Sequence, residues 1–384
     1  MSLLLHDARV ITGEPVDIDR GWVHLADGVV RGMGAGDAPP AVIAAAAEVV
    51  DAREMAGPGA LVTPGLVDIH THGGGGSAFD DPDAATAVDR ILAVHAAHGV
   101  TRLVASLVSA APLDLEHTIS ALSAAARPGL LGIHLEGPCL DVDHRGAHAR
   151  WALRSPESLD VKRLTAAGRL VQITIAPELP GALDLIRAFV AAGVRVAVGH
   201  TAADAAKTRE AIAAGASLLT HAFNAVPPLH HRAPGPVGVA LADEAMTLEL
   251  IADGTHVDPS LFAWLFRAAP GRIALVSDAM AAAGSPDGDY RLGDLAVTVS
   301  GGIARLRGTD TIAGSTLTLD RAVRGVVDAG VPLLDAVAAA TRVPARAIGR
   351  DDLGLLQPEC RGDAVLWSVG LEPVAVWRDG IRLS

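Results

Sequence analysis

Between about residues 61 and 280 the chain repeats one unit. A short apolar run is followed by a loop, an Ala-rich amphipathic stretch, a Gly, and the next apolar run. The runs are residues 61–70, 101–108, 130–135, 170–176, 194–199, 217–221, 248–253 and 273–278. Their length and Val, Ile and Leu content predict eight buried strands. Helices are predicted at 84–98, 113–126, 182–192 and 203–214, and Gly99, Gly168, Gly193 and Gly215 stand where helices end before the next strand. The gap between the sixth and seventh strands is rich in Pro, His and Gly and reads as the least helical.

Eight strands alternating with helices predict a parallel sheet covered by helices. Eight is also the number that closes a (β/α)8 TIM-type barrel. A doubly wound open sheet is the runner-up. It would want a phosphate loop after the first strand, where Gly73–Gly76 stands, but that run lacks GxGxxG spacing and reads as a flexible loop. The chain ends follow another pattern. Asp27-Gly28 and Asp379-Gly380 each separate two short β-type segments, a hairpin signature. Because isolated hairpins are marginal, residues 1–57 and 345–384 are expected to combine into one small β-sandwich domain beside a barrel of residues 58–344. Residues 281–311 read as a hairpin insertion before a last helix near Ser315.

Composition sharpens this picture. Half of the 384 residues are hydrophobic but only 3% are aromatic, so aliphatic side chains must build the core. The net charge of −13 disfavours non-specific binding to nucleic acid or an anionic membrane. Two cysteines, Cys139 and Cys360, supply no disulfide framework, and a cytoplasmic, reducing location is expected. The first residues carry no basic region ahead of a long apolar run, so no signal peptide is expected. No charge-free apolar stretch reaches 18 residues, so no membrane span is expected.

The 15 histidines matter most. His70 and His72 end the first predicted strand, His134 and Glu136 the third, His200 the fifth and His221 the sixth. His256 follows the seventh, and Asp278 ends the eighth. In a barrel these ends share one face, where active sites lie. Residues i and i+2 of a strand point the same way, so His70 and His72 can aim at one metal. Imidazole and carboxylate suit zinc and related divalent ions. A single strand-end histidine is usually a hydrogen-bonded core residue, and His134 is read so. Six donors at one end of successive strands point to one or two divalent metals, zinc first, with iron, manganese or cobalt as alternatives.

The segment 62–73, ending Asp68-Ile69-His70-Thr71-His72-Gly73, resembles the opening of the amidohydrolase superfamily. The set His134-Leu135-Glu136-Gly137-Pro138, Gly199-His200-Thr201, 220–225, 252–256, 276–279 and 312–315 resembles the N-acetylglucosamine-6-phosphate deacetylase family across nearly the whole chain. That resemblance implies a principal metal site of Glu136, His200 and His221. It implies a second at His70 and His72 bridged by Glu136, with Asp278 as catalytic aspartate touching a metal. It implies that Gly146, Ala147 and His148 contact the sugar and the carbonyl. Asn224, Ala225, Arg232 and His256 match substrate and phosphate contacts, and Ile312, Ala313 and Gly314 match a loop over the acetamido group. The family's members are similar to homodimers in which the Arg232 region serves the neighbouring site. Many amidohydrolases use a carboxylated lysine on a strand. The only lysines here, Lys162 and Lys207, fall in helical segments, which supports the branch that uses Glu136.

The implied reaction is hydrolysis of the acetamide of N-acetylglucosamine 6-phosphate. Asp278 would act as base and then acid, and His148 would stabilise the oxyanion beside the metal. A deacetylase of N-acetylgalactosamine 6-phosphate is the nearest alternative. A non-catalytic sugar-phosphate sensor is a third, and it would need no proton-transferring aspartate.

Overall fold

The computed structural model describes residues 2–384. Eight parallel strands follow one another around a barrel: Leu66–Thr71, Val100–Leu107, Leu130–Glu136, Leu170–Ile175, Arg195–Val198, Leu218–Leu219, Thr247–Leu250 and Ile273–Leu275. Each pairs with its sequence neighbour, and the ring closes where Thr71 bridges Ala279 and the Asp278 N–H donates to the His70 carbonyl at 2.8 Å. Sequential order with meeting ends is the barrel and not the doubly wound alternative, whose strand order reverses.

Helices wrap the outside, and their starts are written in the sequence. Asp83, Asp160 and Asp204 each cap a helix by accepting backbone N–H groups, worth about 1 kcal/mol apiece. Ile133, Ile173, Val196, Leu218, Leu248 and Leu275 are buried among the strands, so aliphatic packing does replace aromatic bulk. The lumen, however, is not uniformly apolar. Asp68, Gln172, Thr174, Thr220 and Glu249 are completely buried within it. No helix is long and apolar enough to cross a membrane among the described residues.

The two ends of the chain build a second, mixed sheet of eight strands. Its members are Ser2–Ile11, Asp17–Ala26, Val29–Ala35, Glu48–Asp51, Leu61–Pro64, Ala364–Trp367, Pro373–Arg378 and Ile381–Arg382. Both expected hairpins form. Asp27 and Gly28 have φ of 53° and 79°, and Asp379 and Gly380 have 55° and 74°. Positive φ at both central residues matches the twist of the flanking strands.

Four local expectations need correction. The apolar run 61–70 is two strands in two sheets: Leu61–Pro64 pairs with Ala364–Trp367 in the mixed sheet, and Leu66–Thr71 opens the barrel. The switch is at Gly65, where a Cβ would sit 2.2 Å from Thr101 Oγ1. The Pro- and Gly-rich gap holds a helix, Gly235–Ala242, because Val237, Val239 and Ala240 bury against the barrel and Pro236 stands in its first turn. The insertion is three-stranded, Gly288–Leu292, Leu295–Ser300 and Ile303–Leu306. The following helix starts at Leu319 because Ser315 is drawn into a bridge with Ala279.

The glycine run after the first barrel strand, expected as a flexible loop, is instead held in place. The N–H groups of Gly73, Gly75 and Gly76 donate to Ala279, Ala283 and Ala281 carbonyls, and His95 Nε2 lies 2.9 Å from the Gly73 carbonyl. Those amides are therefore spent and cannot cradle a phosphate. A buried Arg joins the two sheets. Arg102, on the second barrel strand, makes two bonds to Asp363 (2.7 and 2.9 Å), one to Asp379 (2.6 Å) and one to the Pro128 carbonyl (2.5 Å).

Candidate active site

At the C-terminal ends of the barrel strands, Glu136 stands at the centre of a ring of imidazoles. His200 Nε2 and His221 Nε2 both lie 3.0 Å from its Oε1. His72 Nε2 and His148 Nε2 lie 3.3 and 3.2 Å from Oε2. His70 Nε2 is 3.5 Å from Oε1. Asp278 Oδ1 completes the group at 3.3 Å from His72 and 3.5 Å from His70. All of these side chains are buried. The geometry thus gathers His70, His72, Glu136, His200, His221 and Asp278 into one cluster spanning five strand ends.

The hydrogen bonds around the cluster fix where its lone pairs point. His70 Nδ1–H donates to Glu249 at 2.9 Å, and His200 Nδ1–H donates to the His144 carbonyl at 2.9 Å. Their Nε2 atoms therefore present lone pairs inward, toward the lone pairs of Glu136. His200 Nε2 and His221 Nε2 are only 3.0 Å apart. Lone pairs converging at such distances repel unless a cation lies among them. The nitrogen and oxygen donor set fits a divalent metal, and His70, His72 and Glu136 group as one such trio.

Without a metal the same demand falls on protons. Burial lowers the proton affinity of His72, but bonds with Asp278 and Glu136 overcome this and raise it to about 9. His70 and His221 are raised against burial by the same carboxylates. Burial wins at His200, which drops to about 4. Glu136 and Asp278 are penalised by burial yet held low by the imidazoles, Asp278 at about 2. The pattern is that of a pair of carboxylates that attract positive charge.

His148 is different. Its Nδ1 accepts the backbone N–H of Ser109 at 3.1 Å. In the neutral ring the proton is then on Nε2, facing Glu136. His148 is thereby set to donate, not to ligate, although its distances would also suit a ligand trio with Glu136 and His200.

Three residues of the cluster sit on strained backbone. His200, His221 and Asp278 have φ of 48°, 26° and 48°. L-residues avoid this region, and such strain concentrates at functional sites. Each lies just beyond the end of its strand, so the turn redirects the side chain over the lumen.

A cavity of about 410 Å³ opens above the cluster. Gly146, Ala147, His148, Asn224, Ala225, His256, Ile312 and Gly314 line it. Ala313 is fully buried behind this wall. Arg232 is exposed, with Nη1 2.9 Å from His231 Nε2, and lies outside the cavity of its own chain. The Asn224 amide donates to the carbonyls of His221 and Ala222, so it also holds the turn it occupies. His134 is structural as expected, clamped between Ser106 and Thr174 at 2.9 Å on either side. Cys139 is buried, and burial pushes its thiol up to about 12.

The sequence reading missed four contributors. His144 lines the cavity and donates Nδ1–H to Asp141 at 2.7 Å. Asp253 holds His256 in the same way at 2.7 Å. Each is an Asp three residues before a His, a spacing visible in the sequence. Ser109 and Glu249 leave no such trace, since each acts on a histidine far away in the chain.

The match to known proteins agrees with this geometry. A model of the amidohydrolase family matches residues 61–382. The chain belongs to the amidohydrolase family. Among amidohydrolases of known structure, it is similar to an aspartate-to-alanine variant of N-acetyl-D-glucosamine-6-phosphate deacetylase from Mycobacterium smegmatis in complex with N-acetyl-D-glucosamine-6-phosphate. That match has a TM-score of 0.90 and 42% identity, and it covers 100% of this chain and 99% of the other. It is 37% identical to N-acetylgalactosamine-6-phosphate deacetylase of Escherichia coli O157:H7 over 99% of each chain. It is 35% identical to human N-acetylglucosamine-6-phosphate deacetylase over 78% of this chain and 77% of the other.

Proposed function

We propose that this amidohydrolase hydrolyses the acetamide of N-acetylglucosamine 6-phosphate to acetate and glucosamine 6-phosphate. The observation that carries the reading is the convergence of inward lone pairs on Glu136, with the Asp278 carboxylate and the His148 Nε2–H facing the same cavity. The full-length likeness to a deacetylase carrying that sugar phosphate supports the substrate. Glu136, His200 and His221 would hold one divalent metal, with zinc proposed, and His70, His72 and Asp278 would share a second with Glu136. When bound, such an ion lowers the pKa of water toward about 7 and polarises the carbonyl.

The chain's own groups then have definite tasks. Asp278, held ionised, takes the proton of the attacking water and returns it to the departing nitrogen. His148 donates Nε2–H to the acetyl oxygen as charge gathers there. Gly146, Ala147, Asn224, Ala225 and His256 line the part of the cavity available to the sugar and its phosphate, and Ile312, Ala313 and Gly314 wall the acetamido side. Arg232 has the fork that suits phosphate. Its position outside its own cavity supports a role in the site of a second copy, in a cytoplasmic homodimer. The division expected from the sequence, residues 1–57 with 345–384 beside a barrel of 58–344, is part of the same proposal, with its first boundary moved past Leu61–Pro64, which belongs to the mixed sheet.

The likeness to the N-acetylgalactosamine-6-phosphate enzyme along the whole chain favours a second reading, in which that epimer is the substrate. Acetate release from both sugar phosphates, with and without chelator, tests both. Faster turnover of N-acetylglucosamine 6-phosphate, abolished by chelation, is the expected result. No release from either sugar would refute the proposal.

A further inference from the structure

Below the metal-binding layer lies a carboxylate that the reaction does not use. Glu249, on the barrel strand Thr247–Leu250, has no exposed surface. Its Oε2 accepts His70 Nδ1–H at 2.9 Å and the backbone N–H of His221 at 3.3 Å. Its Oε1 accepts Gln172 Nε2–H at 2.7 Å. One side chain thus ties the first, fourth and sixth barrel strands together across the lumen.

A carboxylate this deep in a barrel is costly unless its bonds are satisfied. Here every neighbour donates, and the most consequential donor is His70. A proton held on Nδ1 leaves Nε2 as a lone pair facing Glu136 and Asp278. We infer that Glu249 is a positioning residue that makes the His70–His72 half of the cluster able to hold a second divalent metal. This rests on the proposed two-metal reading of the cluster. The carboxylate fixes the tautomer, stops the ring from turning, and raises the basicity of Nε2. Loss of such an outer partner typically weakens metal binding 10–100-fold.

The variant Glu249→Gln is informative because an amide has one acceptor oxygen and one NH2. It cannot accept from both His70 and Gln172. If its oxygen serves Gln172, its NH2 faces His70, whose Nδ1 must then accept. In that orientation the His70 proton moves to Nε2, pointing at Glu136 and Asp278, and His70 ceases to be a ligand; if the Gln172 amide turns to accept instead, His70 keeps its tautomer but loses the charge that raises the basicity of Nε2. The His200–His221 half, whose imidazoles do not touch Glu249, keeps its metal.

The test is metal content of the intact protein, measured by elemental analysis after dialysis against zinc buffered at graded free concentrations. Wild type is expected to hold two equivalents. Glu249→Gln is expected to hold the first with unchanged affinity and the second 10–100-fold more weakly, and His70→Ala should lose that same equivalent. The double variant should lose no more than His70→Ala alone. If Glu249→Gln does not fold, Glu249→Asp keeps the charge but withdraws it by one methylene, and the same selective weakening is expected. A wild type that binds one equivalent, or a variant that melts earlier with both affinities intact, overturns the inference. So does equal weakening of both sites. Failure of the substrate reading would instead show as a two-metal protein that releases no acetate from either sugar phosphate.

Discussion

Replacing Asp278 with Asn separates chemistry from folding. The carboxylate is 7% exposed, and its Oδ1 is 3.3 and 3.5 Å from His72 and His70. Asn has nearly the same shape, so the packing is kept and the proton acceptor is lost. Positioned general acid–base catalysis contributes about 10²–10⁴ in rate. At 1.36 kcal/mol per tenfold this is about 2.7–5.5 kcal/mol of barrel-mouth stabilisation of the transition state. The backbone supplies an independent control. Asp278 sits at φ of 48°, a region that Asn tolerates as well as any side chain except Gly. The variant should therefore melt within a few degrees of wild type and retain metal on Glu136, His200 and His221. Acetate release, melting temperature and metal content are measured on one preparation. A variant with more than a tenth of wild-type turnover refutes the proton-transfer role. A variant that loses both metal and fold refutes the claim that Asp278 acts mainly in chemistry.

Other consequences are as direct. Arg232→Ala should raise KM for the phosphorylated sugar far more than for the unphosphorylated one. Mixed with Asp278→Asn protein, it should regain part of its activity if Arg232 serves a second copy; no recovery on mixing and exchange argues that each site is complete within one chain. Arg102→Met strands the buried Asp363 without its guanidinium, while Asp379 keeps Arg361, at a cost of about 3–5 kcal/mol. With unfolding entropy of about 2.1 cal/mol/K per residue, that lowers the melting temperature by roughly 4–6 °C, read by calorimetry with metal saturating. Burial raises the Asp253 carboxyl, but bonds from His256 and nearby N–H groups outweigh it and hold it below 3.8. A depressed carboxyl stabilises the fold above its unfolded value and loses that contribution as pH falls through the folded value. The gap in melting temperature between wild type and Asp253→Asn should be full at pH 6–7 and close below about pH 3.8; a gap independent of pH refutes it.

What could be read before the fold was known follows from how local each signal is. The strands from Val100–Leu107 to Ile273–Leu275 are mostly buried aliphatic residues, so periodicity located them, and the imidazoles and carboxylates at or just past strand ends marked where the cluster gathers. The split at Gly65 was not readable, because 61–70 is one apolar run and the change of sheet is dictated by Asp363, which accepts the Gly65 N–H from 298 positions away. The helix Gly235–Ala242 hid behind Pro234, Gly235 and Pro236, which usually mark loops; burial of its apolar face outweighed that propensity. Glu249 alternates with Leu248 and Leu250, as a residue facing water would. It is buried because the other side of that strand is a closed lumen. Ser109 is one serine among many until His148 folds back onto it.

The strand Leu61–Pro64 lies between Ser2–Ile11 and Ala364–Trp367, and all four of its residues end up buried. Its second neighbour is made about 300 residues later. At roughly 5–20 residues per second, a ribosome needs on the order of 15–60 s to supply it. Through that interval the barrel grows beside an open β edge, the kind of surface that captures other chains. Assembly of this fold is therefore sealed by its last strands to be synthesised, and the same four residues that bring the two ends together are its point of greatest exposure to aggregation.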